Sequence, residues 1–123
     1  MLIQAHQLEA LGQSHYVEFE ARTAKWLGEQ FPDDCHLLGP NAVRERIRYA
    51  LQNGFRYEFY TEADAARYVY LCFLLGRNFD LAPEYDWLRG ILSDAGQEPS
   101  PRLDAAYDEL ASRLEREEDQ IAL

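Results

Sequence analysis

The chain has 123 residues, of which 47% are hydrophobic and 13% aromatic, and its formal net charge is −10. This length indicates a single domain over residues 1–123, and the composition is too apolar for a disordered chain. The longest apolar run, residues 68–75, is far shorter than the roughly 20 residues that span a bilayer. The first residues lack the basic region and the apolar stretch of a signal peptide. We therefore expect an acidic cytoplasmic domain with no membrane partner.

The negative charge is distributed unevenly along the chain. Residues 1–40 carry a net charge of −4, residues 41–80 carry +1, and residues 81–123 carry −7. A field of this sign repels the phosphate backbone of nucleic acids and anionic lipids. Nucleic acid is therefore not expected as a partner, whereas a basic protein partner remains compatible with the charge.

Hydrophobic periodicity and helix-ending residues predict an all-α chain of five helices. The predicted helices cover about residues 5–31, 41–52, 62–75, 83–93 and 101–118. The helix over 62–75 is apolar on all sides, so we expect it to be the central and most buried one. The helix over 5–31 is long for a domain of this size, and a homodimer could form through it.

Residues with special backbone preferences set the predicted boundaries. Pro32 ends the first helix, and residues 32–40 are predicted as a loop. Asn53 and Gly54 fit the cap at the end of the second helix. Residues 55–60 alternate aromatic and charged side chains, which favours an extended connector with its aromatic rings turned inward.

The later boundaries also follow from capping residues. Thr61 and Asp64 have the spacing of a capping box at the start of the third helix, and Gly76 ends that helix. Ser100 and Pro101 fit an N-cap followed by a proline at the first helical position.

The residues that most often carry chemistry form no known motif in this sequence. Cys35 and Cys72 are expected to be reduced thiols, and Asp33 and Asp34 should raise the pKa of Cys35. The histidine and cysteine spacings match no zinc pattern, so we predict neither a metal site nor a cofactor. His15, on the apolar side of the first helix, is the one candidate for a group in a ligand pocket.

Arginines and tyrosines alternate in the middle of the chain, and both residue types are enriched in protein interfaces. The candidate protein-binding residues are Arg44, Arg48, Arg56, Tyr57, Tyr60 and Arg67. In that interpretation the tyrosines anchor a partner and the arginines bind its carboxylates. Two alternatives remain open, namely ion pairs between the protein's own helices and an anion or phosphate site.

Part of this region resembles a known pattern. The matching residues are Gly54, the segment Thr61–Tyr68, Leu74-Leu75-Gly76 and Phe79-Asp80, with a continuation through Pro83, Trp87 and Ile91-Leu92. They resemble short, mostly uncharacterised bacterial proteins that are often encoded beside type VI secretion spike-tip and effector genes. The resemblance covers about a third of the chain and implies an adaptor or chaperone for an effector, or its immunity partner.

Three functions from different classes follow from the sequence. The first is a non-enzymatic binding module whose partner is an effector or a component of the secretion spike. The second is an acidic mimic that occupies the nucleic-acid site of a DNA- or RNA-binding enzyme. The third is a small helical enzyme or ligand-binding protein that uses His15. We expect the first, because the arginine and tyrosine residues favour a protein surface.

Overall fold

The computed structural model describes residues 13–121 and the side chains of residues 17–117. This part contains six α-helices: α1 (Gln13–Gln30), α2 (Pro32–Leu38), α3 (Pro40–Arg56), α4 (Glu62–Leu75), α5 (Asp86–Leu92) and α6 (Pro99–Ile121). Two 3₁₀ turns cover Phe79–Leu81 and Pro83–Tyr85. The predicted all-α fold is confirmed, and residues 5–12 of the predicted first helix lie outside the described residues. No described helix combines the length and the apolar character that a membrane crossing requires.

The chain divides into two compact units, Met1–Phe79 and Asp80–Leu123, which we call the first and the second unit. The prediction of a single domain over residues 1–123 stays a prediction.

The first unit is built from three long helices and the short α2. Helix α3 packs against both α1 and α4, and α2 packs against α1 and α3. Helix α1 also packs against α4, with Arg22 beside Glu62 and Trp26 beside Tyr70, so these two helices run in the same direction. The core contains large side chains from all three long helices, among them Leu27, Ile47, Leu51, Tyr68, Val69 and Leu71.

Helix α4 has the boundaries that its capping residues predict. The Thr61 hydroxyl accepts a hydrogen bond from the backbone N–H of Asp64 at 3.1 Å. Gly76 ends the helix with a φ of 117°, and its N–H donates to the Cys72 carbonyl. The helix lies in the core of the first unit, as expected, with Tyr68, Val69 and Leu71 fully buried. Leu74 is nevertheless 42% exposed and Phe73 is half-buried, because α1 and α3 cover only part of the helix surface.

The predicted loop over residues 32–40 is wrong, since Pro32–Leu38 forms helix α2. Pro32 occupies the first turn, where its missing N–H would have no partner in any helix. Asp33 and Asp34 follow it, and their negative charge favours a helix N-terminus. The residues interpreted as ending one helix therefore also begin the next.

Helix α3 continues past its predicted end at Gln52 and runs to Arg56. Gly54 is part of this helix, and a Cβ atom at this position would lie 3.2 Å from the Tyr68 ring. Glycine therefore permits close packing of α3 on α4 and does not cap the helix. The chain turns after Tyr57 at Glu58, whose φ is 69°. Residues 55 and 56 are helical and not extended, but Phe55 and Phe59 are buried as predicted.

The second unit packs α5 against α6. Its fully buried side chains are Leu88, Leu92, Leu103 and Ala106. The predicted helix over 83–93 is a 3₁₀ turn followed by α5. Helix α6 begins at Pro99, so Ser100 lies inside the helix and is not the predicted N-cap.

Candidate functional site

Arg48, one of the predicted partner-binding residues, forms an ion pair within the protein. Its Nε and one terminal nitrogen donate to the two carboxylate oxygens of Glu20 at 3.1 and 3.0 Å. The Glu20 side chain is 5% exposed, whereas that of Arg48 is 54% exposed. The pair joins α3 to α1, which supports internal bridging at this position.

The other five predicted residues lie in different environments. Arg44 and Arg56 are exposed on α3, and Arg67 is half-buried on α4. The half-buried rings of Tyr57 and Tyr60 pack on aromatic residues of the first unit itself. The Tyr57 centroid lies 5.6 Å from that of Tyr68 and 5.9 Å from that of Phe59, and the Tyr60 centroid lies 6.0 Å from that of Phe55. Their role in binding a partner stays a prediction.

A row of aromatic side chains, which sequence reasoning did not single out, lies where α1 and α4 meet. We call Trp26, Phe31, Tyr70 and Phe73 the aromatic strip. The Tyr70 centroid lies 5.5 Å from Trp26 and 5.2 Å from Phe31, and Phe31 lies 6.0 Å from Phe73. All four side chains remain half-buried, so solvent reaches a connected aromatic surface.

Leu74 extends the aromatic strip along α4. It lies one helical turn beyond Tyr70 and therefore on the same face of the helix. Its exposed fraction of 42% is high for a leucine beside aromatic rings. The sequence carried a signal for this surface, namely that a helix apolar on all sides needs more neighbours than two helices supply.

A shallow, solvent-open pocket adjoins the strip between α3 and the end of α4, and Phe73 belongs to both. We call it the arginine pocket. Its lining residues are Arg46, Tyr49, Ala50, Cys72, Phe73 and Arg77. Sequence reasoning placed neither Arg46 nor Arg77 in a site, because they are 31 positions apart and meet only through the antiparallel packing of α3 and α4.

Specific contacts hold one side of the arginine pocket. The Arg77 guanidinium lies 4.3 Å from the centre of the Tyr49 ring, a cation–π distance. A terminal nitrogen of Arg77 also lies 3.6 Å from a carboxylate oxygen of Glu45. The Tyr49 hydroxyl donates a hydrogen bond to the side-chain oxygen of Asn78. These contacts fix Arg77 and Tyr49 beside the opening.

The thiol of Cys35 is half-buried on α2, beside Asp34. Burial raises its pKa, and the negative charge of Asp34 raises that pKa further, as predicted, whereas the predicted effect of Asp33 is not found. Among the described residues, no group of three or more His, Cys, Asp or Glu side chains could hold a metal ion. The side chain of His15, the predicted pocket residue, lies outside the described part of the chain.

No protein-family model, no curated protein and no solved structure matches this chain.

Proposed function

We propose that the chain is a non-enzymatic protein-binding module that contacts its partner through the aromatic strip. The observation that carries this proposal is the connected row of four half-exposed aromatic rings with Leu74 beside it. Aromatic residues are enriched in protein interfaces, since they bury a large area at a low cost in side-chain entropy. A surface of this kind suits a partner that presents apolar side chains.

The resemblance of residues 54–80 to proteins encoded beside type VI secretion genes supports the class of partner. An adaptor, a chaperone or an immunity protein each acts by holding another protein without changing it covalently. We therefore propose a secreted effector or a component of the secretion spike as the partner, bound in the cytoplasm before export.

The test is capture of partner proteins from the bacterium that encodes the chain, with tagged wild type and two matched variants. Leu74→Glu places a charge beside the aromatic strip, where a desolvated carboxylate would weaken a complex strongly. Leu114→Glu makes the same change on α6, at a leucine that is 49% exposed. Both leucines occupy exposed helical positions, so the variants should fold alike.

We expect wild type and Leu114→Glu to retain a stoichiometric effector or spike protein, and Leu74→Glu to lose about nine-tenths of it. Neutralisation of the captured effector would then separate an immunity protein from a delivery factor. Loss by Leu114→Glu with retention by Leu74→Glu would reject the aromatic strip as the contact. Stoichiometric capture of a nucleic-acid enzyme that is unaffected by Leu74→Glu would support an acidic mimic instead.

A further inference from the structure

The arginine pocket has the chemistry of a site for a single negative charge. Arg46 is half-buried at this pocket, and its guanidinium makes no ion pair or hydrogen bond with the described residues. Arg77 is held against Tyr49 at 4.3 Å, and its contact with Glu45, at 3.6 Å, is longer than a normal hydrogen bond. Two guanidinium groups therefore line one pocket, and Glu45 contributes a carboxylate beside Arg77.

The remaining lining of the pocket strengthens its attraction for an anion. Ala50 and Cys72 are buried, and the Phe73 ring forms part of the wall. Apolar walls reduce the local dielectric, so a charge that enters interacts more strongly with the arginines than it would in open water. Guanidinium groups also bind carboxylates through two parallel hydrogen bonds, which adds geometric selectivity.

We propose that the arginine pocket binds one carboxylate of the partner protein, beside an apolar residue that packs on the aromatic strip. The charge balance of Arg46, Arg77 and Glu45 is +1, which matches a carboxylate better than a doubly charged phosphate. The chain's net charge of −10 also opposes the approach of polyanions. Phe73 links the two contacts because it lines the pocket and lies in the strip.

The inference rests on the proposed function in so far as the carboxylate belongs to a protein. The test therefore uses small-molecule probes, which need no partner protein. NMR follows their binding to the full chain through the side-chain Nε–H signals of Arg46 and Arg77. N-acetylphenylalanine offers a terminal carboxylate, and the amide of N-acetyl-phenylalanyl-glutamate offers a side-chain carboxylate. N-acetylphenylalaninamide is the uncharged control, and inorganic phosphate is the competing anion.

We expect saturable shifts of both arginine signals with at least one carboxylate probe and none with the uncharged amide. The carboxylate probe that binds more tightly identifies a chain terminus or an acidic side chain as the natural ligand. Arg46→Gln should weaken its binding at least about fivefold, because one of two charged donors is lost. Lys25→Gln removes one positive charge from an exposed position on α1 and should change the affinity less than about twofold.

The inference would be overturned by no shift with either carboxylate, by equal shifts with the uncharged amide, or by tighter binding of phosphate than of both carboxylates. An equal loss of affinity in Lys25→Gln would also overturn it, since the attraction would then be non-specific. If the chain binds a carboxylate probe but captures no partner, the proposed function is rejected and the assignment of the pocket as a carboxylate site is retained. If partner capture depends on Leu74 but no carboxylate probe binds, the proposed function is retained and the carboxylate site is rejected.

Discussion

The ion pairs that the structure describes in the two units differ in whether they join two helices or lie within one. In the first unit, Arg48 pairs with Glu20 across 28 positions of sequence, and Arg22 pairs with Glu62 across 40. Each pair therefore joins two different helices. In the second unit, Arg113 and Arg116 both contact Glu109 on α6, and Arg89 contacts Asp86 on α5. These three ion pairs each lie within a single helix.

The two units also differ in net charge. The first unit has eight basic and ten acidic residues, for a net charge of −2, whereas the second unit has four basic and twelve acidic residues, for −8. A nearly balanced segment can place opposite charges on facing helices, but a strongly acidic one has few arginines to share. Ion pairs between helices contribute to tertiary structure, while pairs within one exposed helix stabilise mainly that helix.

Removal of one arginine from each unit tests this comparison most directly. Arg48→Ala should lower the free energy of unfolding by about 2 kcal/mol, because the buried Glu20 carboxylate loses a bidentate partner. Arg89→Ala removes an exposed contact at 3.5 Å and should change the free energy by less than about 0.5 kcal/mol. Urea unfolding followed by circular dichroism measures both values.

Equal effects of these two substitutions would contradict the assignment of a structural role to the Arg48–Glu20 pair. Weaker partner binding by Arg48→Ala without loss of stability would instead favour the original interpretation of Arg48 as an interface residue. Arg44→Ala, one turn away on α3 and exposed, is the control for removal of a charge from this helix.

Gly54 and Gly90, two glycines within helices, allow the packing of the two units to be compared. At Gly54 in the first unit, a Cβ would lie 3.2 Å from the Tyr68 ring, which is itself packed against Tyr57, Phe59 and Phe79. At Gly90 in the second unit, nothing lies within 4 Å of such a Cβ. Gly54→Ala should therefore cost about 1 kcal/mol, despite the better helix propensity of alanine.

Gly90→Ala should stabilise the chain by up to about 0.5 kcal/mol, since alanine restricts the unfolded chain and meets no neighbour. Thermal unfolding of both variants and wild type at one pH and salt concentration shows whether each substitution stabilises or destabilises the chain. Stabilisation by Gly54→Ala would show that the Tyr68 ring can move and that α3 and α4 are not closely packed there.

Local signals in the sequence were sufficient to predict the elements that depend on neighbouring residues alone. Thr61 and Gly76 set the ends of α4 because capping is a contact between residues within one turn. Gly54 was assigned to a cap because its actual requirement, the approach of Tyr68, comes from a residue 14 positions later. Helix α2 was missed because a proline that ends one helix can equally begin another.

The candidate site depended even more on distant residues. Glu20 is a charged residue of α1, yet it is buried, and Arg48 on α3 binds its carboxylate. The arginine pocket requires Arg46 and Arg77 to meet, which depends on the packing of α3 against α4. The sequence favoured arginine and tyrosine residues in the middle of the chain as a binding surface, but it could not predict which of them are exposed.

The smallest expected effect concerns a charge that acts within one short helix of the first unit. Burial is the larger cause of the raised pKa of Cys35, and the Asp34 carboxylate adds to it, so little thiolate forms at pH 8. Asp34→Asn removes only the second cause; it should lower that pKa slightly and speed alkylation of Cys35 about twofold at this pH. Asp33→Asn removes the same charge one residue earlier and should leave the rate nearly unchanged. Alkylation followed by mass spectrometry of the Cys35 peptide measures both rates. Equal acceleration in the two variants would mean that the pKa of the thiol depends on the net charge of the helix and not on Asp34 itself.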